Sequence, residues 1–179
     1  MDELTPGTLS VPRGLPGIDP LKLDVGSILS VESRIQEIAF ITPVKAPELI
    51  SVFNKAFSDL TEMVAKVQYE LQVAKQGVEK ARAICLIDKV PAILSEKGLT
   101  SSKSPMGSED LRNAILALDV DFNNALERVH QIQMLYTYLE GKKQAIDKAY
   151  MAVKAVSQDG SGYRHSPDLT VDSYFKKGY

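Results

Sequence analysis

Residues that could carry out catalysis are few in this chain. Glu127 and His130 lie three positions apart, the spacing at which a helix offers a carboxylate and an imidazole to a di-metal site, but there is no second Glu-x-x-His. Cys85 lies in an apolar row, where a thiol packs as a small hydrophobic group. Asp119 and Asp121 are two positions apart, so a continuous helix would point them in different directions. The sequence therefore predicts no enzymatic activity, no cofactor and no metal site.

Basic and aromatic residues point instead to ligand binding. The formal net charge of −2 excludes a strongly basic nucleic-acid binder but not a local basic face. Residues 63–103 carry seven basic and four acidic residues, and residues 128–154 carry five and two. Cations along a phosphate backbone, with rings stacked on bases, are typical of single-stranded nucleic-acid binding. The candidate DNA-binding residues are Lys66, Lys75, Lys80, Arg82, Lys89, Tyr138, Lys142, Lys143, Lys148, Lys154, Tyr163, Arg164, Tyr174, Phe175, Lys176 and Lys177.

The same charges have a second interpretation. In an antiparallel pair of helices, the end of the first helix faces the start of the second. The acidic start of the second helix, which includes Asp119 and Asp121, would then lie near Lys80, Arg82 and Lys89. The basic residues of 142–154 would likewise lie toward the acidic start of the first helix. In this interpretation the charges set the register of the two helices, and both interpretations remain open.

Two apolar rows indicate the elements that position these residues. One row runs from Ile50 to Cys85 and the other from Leu111 to Val153, each with alternating three- and four-residue spacing. This spacing predicts two long helices, over about 47–89 and 109–156, that pack antiparallel. Pro91 interrupts the first row, and a short helical coda over 91–97 is predicted to end at Gly98, because glycine readily adopts the left-handed conformation of a helix end.

The N-terminal and C-terminal segments lack this periodicity. Prolines and glycines alternate over residues 1–27, which predicts an extended arm with a short strand near residues 21–25 and a short helix over 27–39. The predicted fold is all-α: a long, coiled-coil-like antiparallel helical hairpin with a short N-terminal helix and extended N- and C-terminal segments. The predicted organisation is a Pro/Gly-rich arm with the short helix (1–46), a hairpin domain for DNA binding and oligomerisation (47–156), and a flexible aromatic and basic tail (157–179).

The composition adds two further expectations. Additional apolar residues flank both rows and make a stripe wider than a bare hairpin covers, which predicts a homo-oligomer. These residues are Val52, Met63, Val73, Ile84, Leu116, Leu126 and Leu135. No apolar run approaches the roughly 20 residues that cross a bilayer, and the first residues do not form a secretory signal. We therefore expect a cytoplasmic protein with no membrane partner.

Several short motifs between Tyr69 and Lys154 carry a resemblance. They are Lys-Ala-Arg at 80–82, Ser-Glu-Asp-Leu-Arg at 108–112, Leu-Glu-Gly-Lys at 139–142 and Ala-Tyr-x-x-x-Lys at 149–154. In these motifs the chain resembles the phage recombination mediators of the UvsY type. The resemblance implies a small helical oligomer that binds single-stranded DNA and helps load a recombinase, with Lys80 and Arg82 as a DNA-binding pair. The Pro/Gly-rich arm and the aromatic tail depart from that pattern.

The chain is also similar in size and character to the single-stranded-DNA-binding RNA polymerase cofactors of N4-related phages. Either resemblance implies binding without sequence readout, and the two differ in the partner, which is a phage RNA polymerase or a recombinase. The function predicted from the sequence is therefore a sequence-nonspecific single-stranded DNA-binding phage accessory protein that recruits or loads such an enzyme. The alternative is a structural coiled-coil scaffold or virion protein that does not bind DNA.

Overall fold

The computed structural model describes residues 7–99 and 106–159. The elements in chain order are strands β1 (Thr8–Val11) and β2 (Leu21–Asp24), helix α1 (Gly26–Ile35), a 3₁₀ helix (Gln36–Phe40), α2 (Ala46–Ile84), a π-helical segment (Cys85–Lys89), α3 (Val90–Glu96), α4 (Glu109–Leu118) and α5 (Val120–Asp159). The two strands pair with each other. The predicted all-α class is confirmed, with long helices, a short N-terminal helix and one small strand pair.

The described residues group into two compact units. Unit 1 comprises the described parts of Met1–Leu9, Asp24–Met63 and Leu139–Tyr179, and unit 2 comprises those of Ser10–Leu23 and Val64–Tyr138. In each unit an early part of one long helix is combined with a late part of the other, as an antiparallel hairpin requires. The arm and both long helices each contribute residues to both units. The predicted boundaries at 46 and 156 stay a prediction.

Unit 1 has a core of side chains from α1, α2 and α5. Its buried residues are Ile28, Val31, Ala46, Leu49, Phe53, Ala56, Leu60, Leu139, Ile146, Ala149 and Val153. Ion pairs hold α1 at the edge of this core: Arg34 contacts Glu48 at 2.9 Å, and Glu32 contacts Lys142 of α5 at 2.5 Å. The predicted short helix thus covers part of the apolar surface of its unit.

Unit 2 has a core on the second half of α2 and the elements after it. Its buried residues include Val64, Val67, Leu71 and Ala74 of α2 and Ile132 of α5. Beyond them, Cys85, Val90, Leu94 and Leu116 form a separate cluster.

The first apolar row is buried largely as predicted, with one shift. The buried members of the row are Phe53, Leu60, Val64, Val67, Leu71, Ala74 and Cys85. Near the start of α2 the buried residues include Leu49 and Ala56, which are not in the row. The predicted positions there, Ile50 and Phe57, are half-buried. Each lies one residue from a buried one, so the core-facing stripe at this end is rotated slightly toward Leu49.

The π-helical segment explains how the helix continues past Pro91. After Cys85, the regular spacing would bring Asp88 to the buried face, which is unfavourable for a charge. The wider π turn instead makes Val90, five residues after Cys85, the next buried side chain, and Leu94 follows four residues later. Pro91 then follows as the second residue of α3, directly after the π turn, in which the Val90 N–H donates to the Cys85 carbonyl. The coda ends at Gly98 (φ 63°), as predicted, and the Leu99 N–H donates to the Leu94 carbonyl.

The predicted second helix is not continuous, and this expectation was wrong. Leu118 ends α4, Asp119 is extended (ψ 121°), and α5 begins at Val120. The Asp119 carboxylate accepts a hydrogen bond from the Phe122 N–H at 2.9 Å, so this side chain caps the new helix. The break also explains why Leu116 is buried while Leu118, a predicted core residue, is 82% exposed.

Candidate nucleic-acid interface

The break at Asp119 forms part of an ionic cluster in unit 2. Lys89, at the end of the π segment, donates to Asp119 at 2.5 Å and to Asp121 at 2.6 Å. Because the helix is interrupted between the two aspartates, both carboxylates reach one ammonium group. The expectation that Asp119 and Asp121 diverge on a continuous helix is therefore corrected. The register interpretation holds at this point, since Lys89 connects the end of the first long helix to the start of α5.

The ionic cluster also shifts the pKa values of its members. Hydrogen bonds to Asp119 and Asp121 raise the pKa of Lys89 well above its usual range. The hydrogen bond from Lys89, together with that from the Phe122 N–H, lowers the pKa of Asp119. Burial, followed by the negative charge of Asp119, raises the pKa of the Cys85 thiol. All three shifts favour a charged Lys89–Asp119 pair beside a neutral thiol.

Several other predicted DNA-binding cations also have partners within the protein. Lys142 pairs with Glu32, and Lys143 pairs with Glu140 at 2.8 Å. The Lys154 ammonium lies 5.9 Å from the centre of the Tyr150 ring, a cation–π distance. Lys66 and Tyr138 are exposed, and each interacts with another residue. The structure thus gives these side chains roles in the fold, whereas their binding of DNA stays a prediction.

Four of the predicted cations remain exposed without an ion pair to any described residue. They are Lys75, Lys80, Arg82 and Lys148. Lys75, Lys80 and Arg82 lie within eight residues of each other on α2 in unit 2, whereas Lys148 is on α5 in unit 1. Lys75 and Arg82 are two helical turns apart, so both point to one side of α2, about 10.5 Å apart along the axis.

A shallow groove borders two of these cations, Lys75 and Lys80. It has a volume of about 590 Å³ and lies between α2 and α5 in unit 2. The half-buried side chains of Leu126 and Val129 contribute its apolar surface, and Lys75 and Lys80 lie at its edge with Glu79. Such a groove offers an apolar surface for the faces of bases and cations for their phosphates. Glu79 is the one carboxylate among its lining residues and weakens the positive potential there.

The arm contributes a feature that the sequence did not predict. Residues 13–16, here named the strap, lie against α2 in unit 2. Glu70, which is only 6% exposed, accepts a hydrogen bond from the Arg13 guanidinium at 2.6 Å and another from the Gly14 N–H at 2.7 Å. Arg128 of α5 donates to the Arg13 carbonyl at 3.2 Å. The strap is therefore bonded to both long helices.

Gly14 lies where no larger residue fits. A Cβ atom built on it would lie 2.6 Å from the Glu70 carbonyl oxygen and 2.6 Å from the Val73 Cβ. The sequence did not predict the contact between the strap and Glu70. Gly14 is one of several glycines in the arm, and Glu70 resembles any other charged residue beside an apolar row. A proline-rich segment that carries an arginine, and a lone acid next to Leu71, were the available signals.

The remaining predicted residues either form no metal site or lie outside the described residues. His130 is exposed, and Glu127 accepts a hydrogen bond from Gln131 at 3.2 Å. Over residues 7–99 and 106–159, no three His, Cys, Asp or Glu side chains are grouped so that they could hold a metal ion. Tyr163, Arg164 and the four predicted residues of 174–177 lie outside the described residues.

The search for membrane-spanning helices and the comparisons with known proteins both gave negative results. Within the described part of the chain, no helix combines the length and apolarity needed to cross a membrane. Comparisons with protein-family models, with curated proteins and with solved structures found no match.

Proposed function

We propose that this protein binds single-stranded DNA without sequence preference and acts as an accessory factor rather than as an enzyme. The observation that carries the proposal is the group of Lys75, Lys80 and Arg82. These cations are exposed on one stretch of α2 and form no ion pair with a described residue. Cations that a fold does not neutralise internally are available to phosphates, and their release of counterions drives binding.

The surroundings of these cations support a single strand as the ligand. The groove beside them has an apolar surface from Leu126 and Val129, which suits the faces of unpaired bases. Tyr69, which lies six residues before Lys75 on α2, is 68% exposed and offers a ring for stacking. A duplex buries the faces of its bases, so this combination favours single strands over double strands.

The accessory role rests on the resemblance to phage mediators and cofactors. In that role the protein would bind DNA as a homo-oligomer and recruit a phage RNA polymerase or a recombinase. Exposed apolar side chains in unit 2 support self-association or partner binding, since the described residues leave Leu118, Val120 and Met134 at least 68% exposed.

Fluorescence anisotropy with a labelled oligo(dT) tests the proposal. The double variant Lys75→Ala/Arg82→Ala should bind at least ~10-fold more weakly at low salt, equally for all sequences, and should lower the salt slope by roughly 1.4, because each lost phosphate contact removes about 0.7. Lys55→Ala is the matched control: this lysine is exposed on the same helix but lies in unit 1.

Two results would contradict the proposal. One is an affinity that does not change with ionic strength, and the other is a double variant that binds like Lys55→Ala. A wild-type protein that binds no oligonucleotide but self-associates would favour the alternative, a structural coiled-coil scaffold or virion protein.

A further inference from the structure

A second cavity in unit 2 lies beneath the strap. It has a volume of about 540 Å³, which is within the range of small-molecule sites. Its lining includes Gly14 and Leu15 of the strap, Gly77 and Ala81 of α2, and Asn124 and Arg128 of α5. The cavity is distinct from the groove at Leu126 and Val129, although Lys80 lies at the edge of both.

Gly77 is the residue of this cavity that most needs an explanation. It lies in the interior of α2 and has no positive φ, so the helix does not require glycine there. A Cβ atom at this position would meet only the Gly14 carbonyl oxygen, at 3.9 Å, so packing does not require glycine either. Glycine within a helix lowers stability relative to alanine. Because glycine has no side chain, it leaves space in which a ligand can approach the α2 backbone closely.

The walls of the cavity combine cationic, amide and apolar groups. Lys80 and Arg128 make no ion pair with a described residue, and Arg128 uses only one of its N–H donors on the Arg13 carbonyl. The acidic residues of its lining are Asp121 and Glu127, and Asp121 shares the ammonium of Lys89 with Asp119. The apolar edges belong to Leu15 and Ile84, which are 46% and 53% exposed. The Asn124 amide adds a donor and an acceptor.

We infer that this cavity binds one nucleotide unit of a single strand. The base lies over Gly77 between Leu15 and Ile84, its polar edge faces the Asn124 amide, and its phosphate lies between Lys80 and Arg128. A flat apolar ring with a polar edge and an attached anion matches this set of walls better than a purely apolar side chain does. The inference rests on the proposed function, to which it adds a defined site for one base.

Oligonucleotides that lack bases separate this site from binding to the phosphate backbone. We expect the wild-type protein to bind (dT)20 roughly 10-fold more tightly than an abasic strand of equal length, in the range known for base contacts. Gly77→Leu, which fills the cavity, should lower this ratio several-fold while keeping the affinity for the abasic strand, because base contacts at the groove of Leu126 and Val129 are unchanged. The matched control is Gly141→Leu, because Gly141 is an exposed helical glycine of α5 in unit 1 with no atom within 4 Å of its Cβ position.

Gly77→Ala is a second variant, which tests whether Gly77→Leu acts by displacing the strap rather than by filling the cavity. Its single methyl group fits the available 3.9 Å, so this variant should melt at a higher temperature than the wild type, as Gly141→Ala should, and should still show a lower (dT)20-to-abasic ratio.

The possible outcomes separate the inference from the function. An unchanged ratio in Gly77→Leu, or a wild-type ratio near one with salt-dependent binding, overturns the inference and leaves the proposed function intact. Sedimentation that changes in Gly77→Leu while the ratio does not would assign the cavity to a second copy of the chain, which also overturns it. If the wild type binds neither strand, the proposed function fails, and the inference fails with it.

Discussion

The contact between Glu70 and the strap permits a quantitative prediction. Replacing Glu70 with alanine removes both acceptors, one for the Arg13 guanidinium at 2.6 Å and one for the Gly14 N–H at 2.7 Å. Gly14 is buried, so its N–H cannot find water in place of the carboxylate. The Arg13 side chain is 36% exposed and can be hydrated. The loss should therefore be carried mainly by the buried amide.

The expected magnitude follows from these two contacts. A hydrogen bond to a charged group contributes about 1.5–3 kcal/mol, and a buried donor without a partner costs about 1–3 kcal/mol. The Arg13 pair adds little, because its exposed guanidinium is screened by solvent. We expect Glu70→Ala to lower the free energy of unfolding by about 3 kcal/mol, at the lower end of the effects for a broken buried pair. At a slope of about 2 kcal/mol per molar urea, the midpoint would fall by about 1.5 M.

Urea denaturation at one fixed protein concentration measures this change, and hydrogen exchange at the Gly14 amide locates it. Glu79→Ala is the matched control, because Glu79 is an exposed glutamate on the same helix and in the same unit. Its effect should stay within about 0.5 kcal/mol. A Glu70→Ala variant as stable as Glu79→Ala, with unchanged protection of the Gly14 amide, would show that the carboxylate does not hold the strap.

Two further predictions concern the ionic cluster at the helix break. The pKa of Asp119 is lowered from 3.8 in the folded protein. The stabilising effect of its carboxylate is therefore present above that value and is lost as the pH falls through the folded pKa. We expect the unfolding midpoints of the wild type and Lys89→Gln to differ most above about pH 5 and to converge in acid. Equal differences at every pH would contradict this. The Cys85 thiol is buried and has a raised pKa, so it should react with a thiol reagent at least ~100-fold more slowly in the native protein than in the urea-unfolded protein. This ratio corresponds to a free energy of local opening of about 2.7 kcal/mol. Comparable rates in the two states would mean that the thiol is accessible in the native protein.

The helical fold could be predicted because periodicity and burial depend on the same spacing. The apolar rows place residues such as Leu60, Val67 and Ile146 on one face, and all three are buried. Gly98 was predictable as a helix end because only glycine readily adopts the positive φ that this end requires. These features depend on residues near each other in the chain.

Features that depend on distant residues were predictable as facing zones of charge but not as individual contacts. The break at Asp119 requires both a local cap on Phe122 and the ammonium of Lys89, which is 30 residues away. The strap contact joins Arg13 to Glu70 across 57 residues. The antiparallel pairing predicted that Asp119 and Asp121 lie near Lys80, Arg82 and Lys89, but the spacing does not say which of the three cations the carboxylates contact. For that reason the sequence could name candidate cations but could not separate Lys80, which forms no ion pair with a described residue, from Lys89, which has carboxylate partners.

The π turn at 85–89 affects how segments of this protein could be exchanged with those of other helical proteins. Val90 and Leu94 follow Cys85 at intervals of five and four residues, whereas a strict heptad would bury positions 88 and 92, so the buried residues after the turn are two positions later than the heptad places them. A chimera that joins an ideal coiled coil to α3 must therefore place Val90 and Leu94, rather than positions 88 and 92, on the core-facing side. Deleting one codon within 86–89 would leave the valine four residues after Cys85, which is the spacing of an ordinary α-helix. The deletion should therefore remove the π turn while the valine and the leucine stay on the buried face.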